Sequence, residues 1–330
     1  MLLLTIFQIF FTILTVFFIF YDSVLLISML KVRYFGAAAN KKNYPFVYIT
    51  VMTFYGITSK ICDFPMVDAW PIAELIDPIN GYEAYRQSVG KLISLIKTFS
   101  YLTPLFINCL MTIHRVFIFL MPLDTYWFND LKLFLYSSIL SIFVLITLLI
   151  PYFSSCSVNF DSRTSTYIAA CAPGRHPMTL FQNKYAIWLP ICSMCVNFAI
   201  IFWVKISRRL KSTASHNKVA TSSSLHVAKS YVKRENVMIR QAAAIAVYFS
   251  VYELGYLYMR LYPEQFEDWP LEFQALSYYV RLFAISSSNF FIYFLLTRST
   301  RQLVLKFLGI EWIFEKKPVV ATGSLTFINN

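Results

Sequence analysis

The chain has 330 residues, of which 58% are hydrophobic, 18% aromatic and only 14% charged, and its formal net charge is +12. A soluble domain carries roughly 25% charged residues, so this composition excludes an ordinary water-soluble globular domain. The hydrophobic residues also occur in runs of about 20, the length that crosses a hydrocarbon core as a helix. The composition therefore predicts an all-α, multi-pass membrane protein.

Seven hydrophobic runs predict a seven-transmembrane helix bundle over residues 1–309, followed by a tail over 310–330. The first run is expected to be an uncleaved signal anchor, with Asp22 facing the bundle or lying near an end. The second is the least apolar, and Lys60 and Asp63 are expected to end it. A short amphipathic helix is predicted over 297–309. The predicted spans are about 4–30, 44–62, 92–121, 132–152, 186–206, 238–259 and 273–296.

Basic residues concentrate in alternate loops, and this asymmetry predicts the orientation of the chain. The loops after spans 1, 3 and 5 and the tail together carry about 19 Lys and Arg residues, against about six in the other loops. We therefore expect a plasma-membrane protein with its N-terminus outside and its C-terminus in the cytoplasm. The net charge of +12 then reflects topology and attraction to the anionic inner leaflet, not binding to nucleic acid.

Three cysteines lie at the outer side of the predicted bundle. Cys156 and Cys171 lie in the second outer loop, and Cys62 lies at the outer end of span 2. In an oxidising compartment a disulfide can join Cys156 to Cys171, or Cys62 to either of them. The sequence alone does not choose between these pairings.

The motifs of membrane enzymes are missing from the sequence. Its four histidines have neither HExxH nor HxxxH spacing, and its eight glycines form neither a phosphate-binding loop nor a GxSxG elbow. We therefore expect no enzymatic activity, no cofactor and no metal site. A channel or transporter subunit is the alternative class, although no internal repeat of the kind found in transporters is visible.

The inner end of span 3 reads HRVFIFLMP, from His114 to Pro122. A cation at the inner membrane edge can pair inside the bundle or contact a partner when the helices part. The motif resembles the Asp/Glu-Arg-Tyr signature of rhodopsin-like receptors, with Arg115 as its arginine, His114 in place of the acid and Pro122 at the family's interval. The resemblance implies that Arg115 and Leu123 contact a G protein. The alternative is that Arg115 is an interfacial anchor that reaches lipid phosphate.

The inner end of span 7 reads NFFIY over 289–293 and resembles the receptor motif Asn-Pro-x-x-Tyr, with Phe in place of Pro. Asn289 and Tyr293 are four residues apart, so they share one helical face. The resemblance implies that this face repacks on activation. The alternative is that Tyr293 belongs to an aromatic belt and Asn289 bonds to a neighbouring span.

Other features depart from rhodopsin-like receptors: span 2 is predicted to lack a carboxylate, and span 6 lacks Cys-Trp-x-Pro. With these departures the chain resembles the nematode serpentine chemoreceptors of the Srg superfamily, which includes Srg, Srv and Srxa. The resemblance is carried by HRVFIFLMP, NFFIY, the TRSTRQ entry to the tail helix, the minimal N-terminus and the total length. It implies a receptor of sensory cilia for an environmental small molecule or pheromone, which activates a heterotrimeric G protein.

Ionisable residues inside membrane spans are functional by default, and three of them lie near the outer ends of spans 3, 6 and 7. If Lys97 and Arg281 both face the cavity, their charge favours an acidic ligand. A Glu253–Arg281 ion pair that joins spans 6 and 7 is an equal alternative. The predicted ligand-binding residues are Lys97, Tyr101, Glu253, Tyr256, Tyr278 and Arg281. The predicted coupling residues are His114, Arg115, Pro122, Leu123, Asn289 and Tyr293.

Overall fold

The computed structural model describes residues 2–35, 46–77, 80–121, 127–162, 166–214 and 268–310, with isolated positions between 244 and 265. Two π-helical segments, Arg86–Gly90 and Phe290–Leu295, extend α-helices. The α-helices are α1 (Leu2–Phe35), α2 (Phe46–Ile76), α3 (Gly81–Tyr85), α4 (Lys91–Leu120), α5 (Asp130–Phe153), α6 (Pro177–Tyr185), α7 (Trp188–Ala214), α8 (Leu271–Asn289) and α9 (Arg298–Phe307).

Four helices in the described part of the chain are long and apolar enough to cross a membrane. They are Thr5–Tyr34, Gly81–Ile118, Asp130–Phe153 and Pro177–Trp203. The segments Glu272–Leu295 and Arg298–Phe307, bent by 93° to each other, are a fifth candidate if they count as one span. These helices agree with the predicted all-α membrane class. Most of the sixth predicted span, 238–259, and the tail from 311 onward lie outside the described residues.

The burial pattern of α1 is the reverse of that in a soluble protein. Ile13 and Phe20 are 63% and 60% exposed, whereas Thr15 and Asp22 are each 1% exposed. Apolar side chains that face outward have lipid as their solvent, and polar side chains that face inward can bond to other helices. The prediction that Asp22 faces the bundle is confirmed.

Helix α2 continues past the residue at which the sequence predicts the second span to end. Lys60 and Asp63 do not end α2, which continues to Ile76, and both side chains are 1% exposed. The physical reason is that each of them pairs with an opposite charge on a neighbouring helix. As a result α2 carries a buried carboxylate, Asp63, which the sequence had placed outside the span.

The second outer loop contains the strands of the described chain, a feature that the sequence did not predict. Strand β1 (Val158–Asp161) pairs antiparallel with β2 (Thr166–Ala169). A disulfide joins Cys156 to Cys171 beside this hairpin, while Cys62 is a buried free thiol.

At the other end of the molecule, α9 occupies the position of the predicted amphipathic helix. Thr300, Val304 and Leu305 are its buried residues, and Arg301 and Lys306 lie on the remaining surface. Gly309 follows with φ of 72°, a conformation that favours glycine and that commonly ends a helix.

Candidate functional site

The hairpin covers the ends of three helices, at the side of the bundle that the sequence predicts to be outer. The Phe160 ring stacks on that of Tyr278 in α8, with centroids 5.2 Å apart. The Phe160 backbone N–H donates to Ser94 Oγ of α4 at 3.0 Å. Tyr82 of α3 donates its hydroxyl to Asp161 Oδ1 at 2.9 Å. The outer end of the bundle is therefore closed by a hairpin that contacts α3, α4 and α8.

Three of the predicted ligand-binding residues lie together beneath this hairpin. Arg281 Nη2 donates to Tyr101 Oη at 3.5 Å, and its guanidinium carbon lies 5.5 Å from the Tyr101 ring centroid. Tyr278 lies close enough to Arg281 for electrostatic interaction. These contacts join α4 to α8 and bring one cation together with two tyrosine rings. Glu253 and Tyr256 lie outside the described residues.

Lys97, the other predicted ligand contact, is already paired. Its Nζ donates to Asp63 Oδ1 and, at 2.9 Å, to Ser59 Oγ, and Lys97 is only 4% exposed. Because Asp63 neutralises the charge of Lys97, this pair adds no net positive charge to the interior of the bundle. The contacts of Lys97 therefore join α4 to α2.

A second buried ion pair lies beside Asn289, the first residue of the predicted switch motif. Lys60 Nζ lies 2.6 Å from Asp22 Oδ2, and Asn289 Nδ2 donates to the same oxygen at 2.9 Å. Tyr293 donates its hydroxyl to Met52 Sδ of α2 at 3.6 Å. The interior partners of Asn289 and Tyr293 therefore lie on α1 and α2.

Arg115 lies near the C-terminal end of α4, which the sequence predicts to be the inner end, and reaches across to α7. Its Nη1 donates to Asn197 Oδ1 at 3.1 Å. Asn197 is itself fixed, since its Nδ2 donates to Thr112 Oγ1 at 3.1 Å and to the Ser193 carbonyl at 2.7 Å. Within the described part of the chain, Arg115 forms no ion pair. The guanidinium of Arg115 is therefore held by a neutral amide.

His114, the residue before Arg115, is held by two aromatic residues. Its Nδ1 lies 3.1 Å from Tyr48 Oη of α2, and its ring stacks on Phe128 with centroids 4.4 Å apart. His114 therefore joins α4 to α2 and to the loop before α5. Pro122 and Leu123, the other predicted coupling residues, lie outside the described residues.

Lys60, Asp63, Asn197 and Tyr48 are the site residues that sequence reasoning missed. For Lys60 and Asp63 a signal was present, because opposite charges three residues apart share one face of a helix. Asn197 and Tyr48 gave no comparable signal, because their partners are 82 and 66 residues away along the chain.

Two comparisons with known proteins bear on the identity of the chain. The family model for Caenorhabditis serpentine receptor-like proteins, class xa, matches residues 43–198. The chain is also 34% identical over 244 residues to serpentine receptor class XA 10 of Caenorhabditis elegans, an alignment that covers 72% of each chain. Both findings confirm the resemblance to nematode serpentine receptors that the inner motifs predicted. The chain belongs to the serpentine receptor class XA family.

Proposed function

We propose that this receptor binds an environmental small molecule at its outer side and activates a heterotrimeric G protein at its inner side. Membership of a serpentine receptor family supports the receptor class and the absence of enzymatic activity. The observation that carries the coupling proposal is Arg115, which is placed at the inner end of α4 with a neutral partner on another helix. A cation held in this way can exchange Asn197 for a group on a bound partner protein when the helices part.

The charge distribution supports the orientation that this function needs. Most Lys and Arg residues lie in the loops and tail that the positive-inside rule assigns to the cytoplasm. The proposed arrangement places the N-terminus and the disulfide-bonded hairpin outside, and α9 at the inner surface. The proposed location is the plasma membrane of a sensory cilium.

The proposed ligand site lies beneath the outer hairpin. Its described members are Tyr101, Tyr278 and Arg281, and Glu253 and Tyr256 are proposed to complete it. Such a site, mostly apolar with a few polar groups, suits a small amphiphilic molecule. The case for an acidic ligand now depends on Arg281, because Lys97 is paired with Asp63.

Substitution of Arg115 tests the coupling proposal. We expect Arg115→Ala to abolish basal nucleotide exchange on co-expressed heterotrimeric G proteins, because the cation that would contact the partner is gone. Arg301→Ala, which removes a cation from α9, is the control and should keep most of the exchange. Full exchange by Arg115→Ala at wild-type surface level contradicts the proposal. A ligand-evoked current in cells without G-protein signalling would instead support a channel or transporter subunit.

Substitution of Arg281 tests the acidic-ligand proposal. The probe is a panel of short-chain and aromatic carboxylic acids applied to cells that express the receptor. We expect Arg281→Ala to reduce the potency of the active acids about tenfold, because a charge-assisted hydrogen bond is lost. Lys91→Ala, at the outer start of α4, is the control. Unchanged potency in Arg281→Ala would exclude an acid held by this residue.

A further inference from the structure

Four charged side chains lie in the interior of the described bundle: Asp22, Lys60, Asp63 and Lys97 are each at most 4% exposed. They form one ion pair between α1 and α2 and another between α2 and α4. Apolar residues of similar volume often replace a buried ion pair without loss of stability. The packing of the helices alone therefore does not explain why these charges are present.

The two oxygen atoms of the Asp22 carboxylate differ in their hydrogen bonds. Its Oδ2 accepts from Lys60 Nζ at 2.6 Å and from Asn289 Nδ2 at 2.9 Å. Its Oδ1 is buried and has no hydrogen-bond partner among the described residues. Two donors from two different helices therefore meet at one oxygen atom. The bond to Asn289 depends on where Lys60 holds that oxygen.

Gly56 of α2 provides the space for this junction. A Cβ atom at this position would lie 2.6 Å from Asn289 Nδ2 and 3.1 Å from Asp22 Oδ2. Any other residue would therefore push the amide of Asn289 away from the carboxylate. The backbone of α2 comes this close to α8 only because Gly56 has no side chain.

The inner end of α8 changes its helical form directly after this contact. Asn289 is the last residue of α8, and the π-helical segment Phe290–Leu295 follows it at once. Single π-helical turns inside α-helices are frequent at functional sites. One turn before Asn289, Ser286 is buried beside the Asp63 carboxylate of the other ion pair. One face of α8 thus meets both ion pairs, and the Asp22–Asn289 bond lies at the end of its regular part.

We infer that Asp22 and Lys60 are positioning residues for Asn289. Lys60 holds the Asp22 carboxyl group in place, and this group holds the inner end of α8 against α1 in the resting receptor. Activation breaks the Asn289–Asp22 bond and frees the segment from Phe290 onward to move. This inference rests on the proposed function, in which the face of Asn289 and Tyr293 repacks on activation.

Exchange of the two charges separates positioning from simple stabilisation. The variant Asp22→Lys/Lys60→Asp keeps an ion pair but moves the carboxylate from α1 to α2, so Asn289 loses its acceptor on α1. We expect surface expression within about twofold of wild type, since no charge is left unpaired. Basal nucleotide exchange on the G protein should rise about tenfold, the shift that loss of one charge-assisted hydrogen bond produces. If the pair were purely structural, both surface expression and basal exchange would stay close to wild type.

The control exchange uses an ion pair between α1 and α5, neither of whose residues belongs to α8. Arg33 Nη1 and Asp130 Oδ2 lie 2.6 Å apart at the inner ends of α1 and α5, and both side chains are partly exposed. Arg33→Asp/Asp130→Arg should leave surface expression and basal exchange at wild-type levels. A rise in basal exchange in this control equal to that of the Asp22/Lys60 exchange would overturn the inference.

A measurement that needs no G protein reports the position of α8 directly. The ring centroids of Phe18 in α1 and Phe290 lie 6.0 Å apart, so cysteines at these two positions can be joined in membranes by a short bifunctional thiol cross-linker. We expect the cross-linking yield to fall about tenfold when Asp22 and Lys60 are exchanged and to stay unchanged in the Arg33/Asp130 control. An unchanged yield in the Asp22/Lys60 exchange overturns the inference.

If the exchanged receptor does not reach the surface, Asn289→Ala provides the same test without altering a charge. It removes the donor, so it should lower the cross-linking yield and raise basal exchange by similar factors. Absence of both effects overturns the inference. A lower yield without any G-protein response in any variant, wild type included, shows instead that the proposed function fails. A lower yield with unchanged basal exchange, in a receptor that Arg115→Ala silences, also overturns the positioning role.

Discussion

Lys60 and Lys97 each contact a carboxylate on a neighbouring helix, whereas Arg115 donates to the amide oxygen of Asn197. The two lysines lie in the interior of the bundle, and the arginine lies near its inner end. Removing one partner of a buried ion pair leaves an uncompensated charge, so such pairs resist rearrangement. A hydrogen bond to a neutral amide is more easily exchanged. The difference indicates that each lysine has a fixed partner, whereas Arg115 has a partner that it can exchange.

Breaking a lysine pair should have the largest effect. Lys60→Met leaves Asp22 buried without its counter-ion, and we expect the free energy of unfolding to fall by about 3–5 kcal/mol. Thermal unfolding of the purified receptor in detergent measures the change. The matched control is Asp22→Leu/Lys60→Met, which removes both charges and should recover most of the loss. If Lys60→Met is as stable as wild type, the lysine pairs are no more fixed than the contact of Arg115.

A carboxylate partner should make the contact of Arg115 as fixed as those of the two lysines. Asn197→Asp replaces the neutral acceptor with a charged one, so the hydrogen bond from Arg115 becomes an ion pair between α4 and α7. We therefore expect basal nucleotide exchange to fall about fivefold to tenfold. Ser193→Ala, one turn earlier on α7, keeps the backbone carbonyl that Asn197 uses and serves as the control. Higher basal exchange in Asn197→Asp would mean that this contact belongs to the active receptor.

An acid at position 114 should have a smaller effect of the same sign. His114→Asp places a carboxylate beside Arg115 in the sequence, and we expect basal exchange to fall about twofold to fivefold. The substitution also removes the contacts of His114 with Tyr48 and Phe128. Tyr48→Phe, which removes only the hydroxyl, controls for that loss. If Tyr48→Phe lowers exchange as much as His114→Asp, the added carboxylate has no role.

Much of the fold could be predicted because a membrane helix shows its length directly in the hydropathy of the chain. The predicted span 92–121 corresponds to Lys91–Leu120, and the amphipathic segment 297–309 contains Arg298–Phe307. The end of α2 was missed because a charge raises the expected cost of burial unless its partner is known. Asp22 and Lys97, the partners of Lys60 and Asp63, are on other helices, and local sequence does not reveal such contacts.

The candidate site could be predicted in part for the same reason. The shared face of Asn289 and Tyr293 follows from helical spacing, and the structure gives both residues interior partners on α1 and α2. The pairing of Lys97 with Asp63 was not predicted, because depth in the membrane gives no information on pairing. The hairpin over Tyr278 was not predicted because its short strands lie in a polar loop without a clear alternation of apolar residues.

The spacing of the two lysine pairs has a consequence for the biogenesis of the receptor. Asp22 and Lys60 are 38 residues apart, and Asp63 and Lys97 are 34 residues apart, so each pair joins consecutive long helices. A lone charge at the centre of an inserting helix costs about 2.5–3.5 kcal/mol. Each charged helix therefore meets its counter-ion in the next long helix that leaves the ribosome. Asn289 is synthesised 267 residues after Asp22, and it docks onto a carboxylate that is already neutralised.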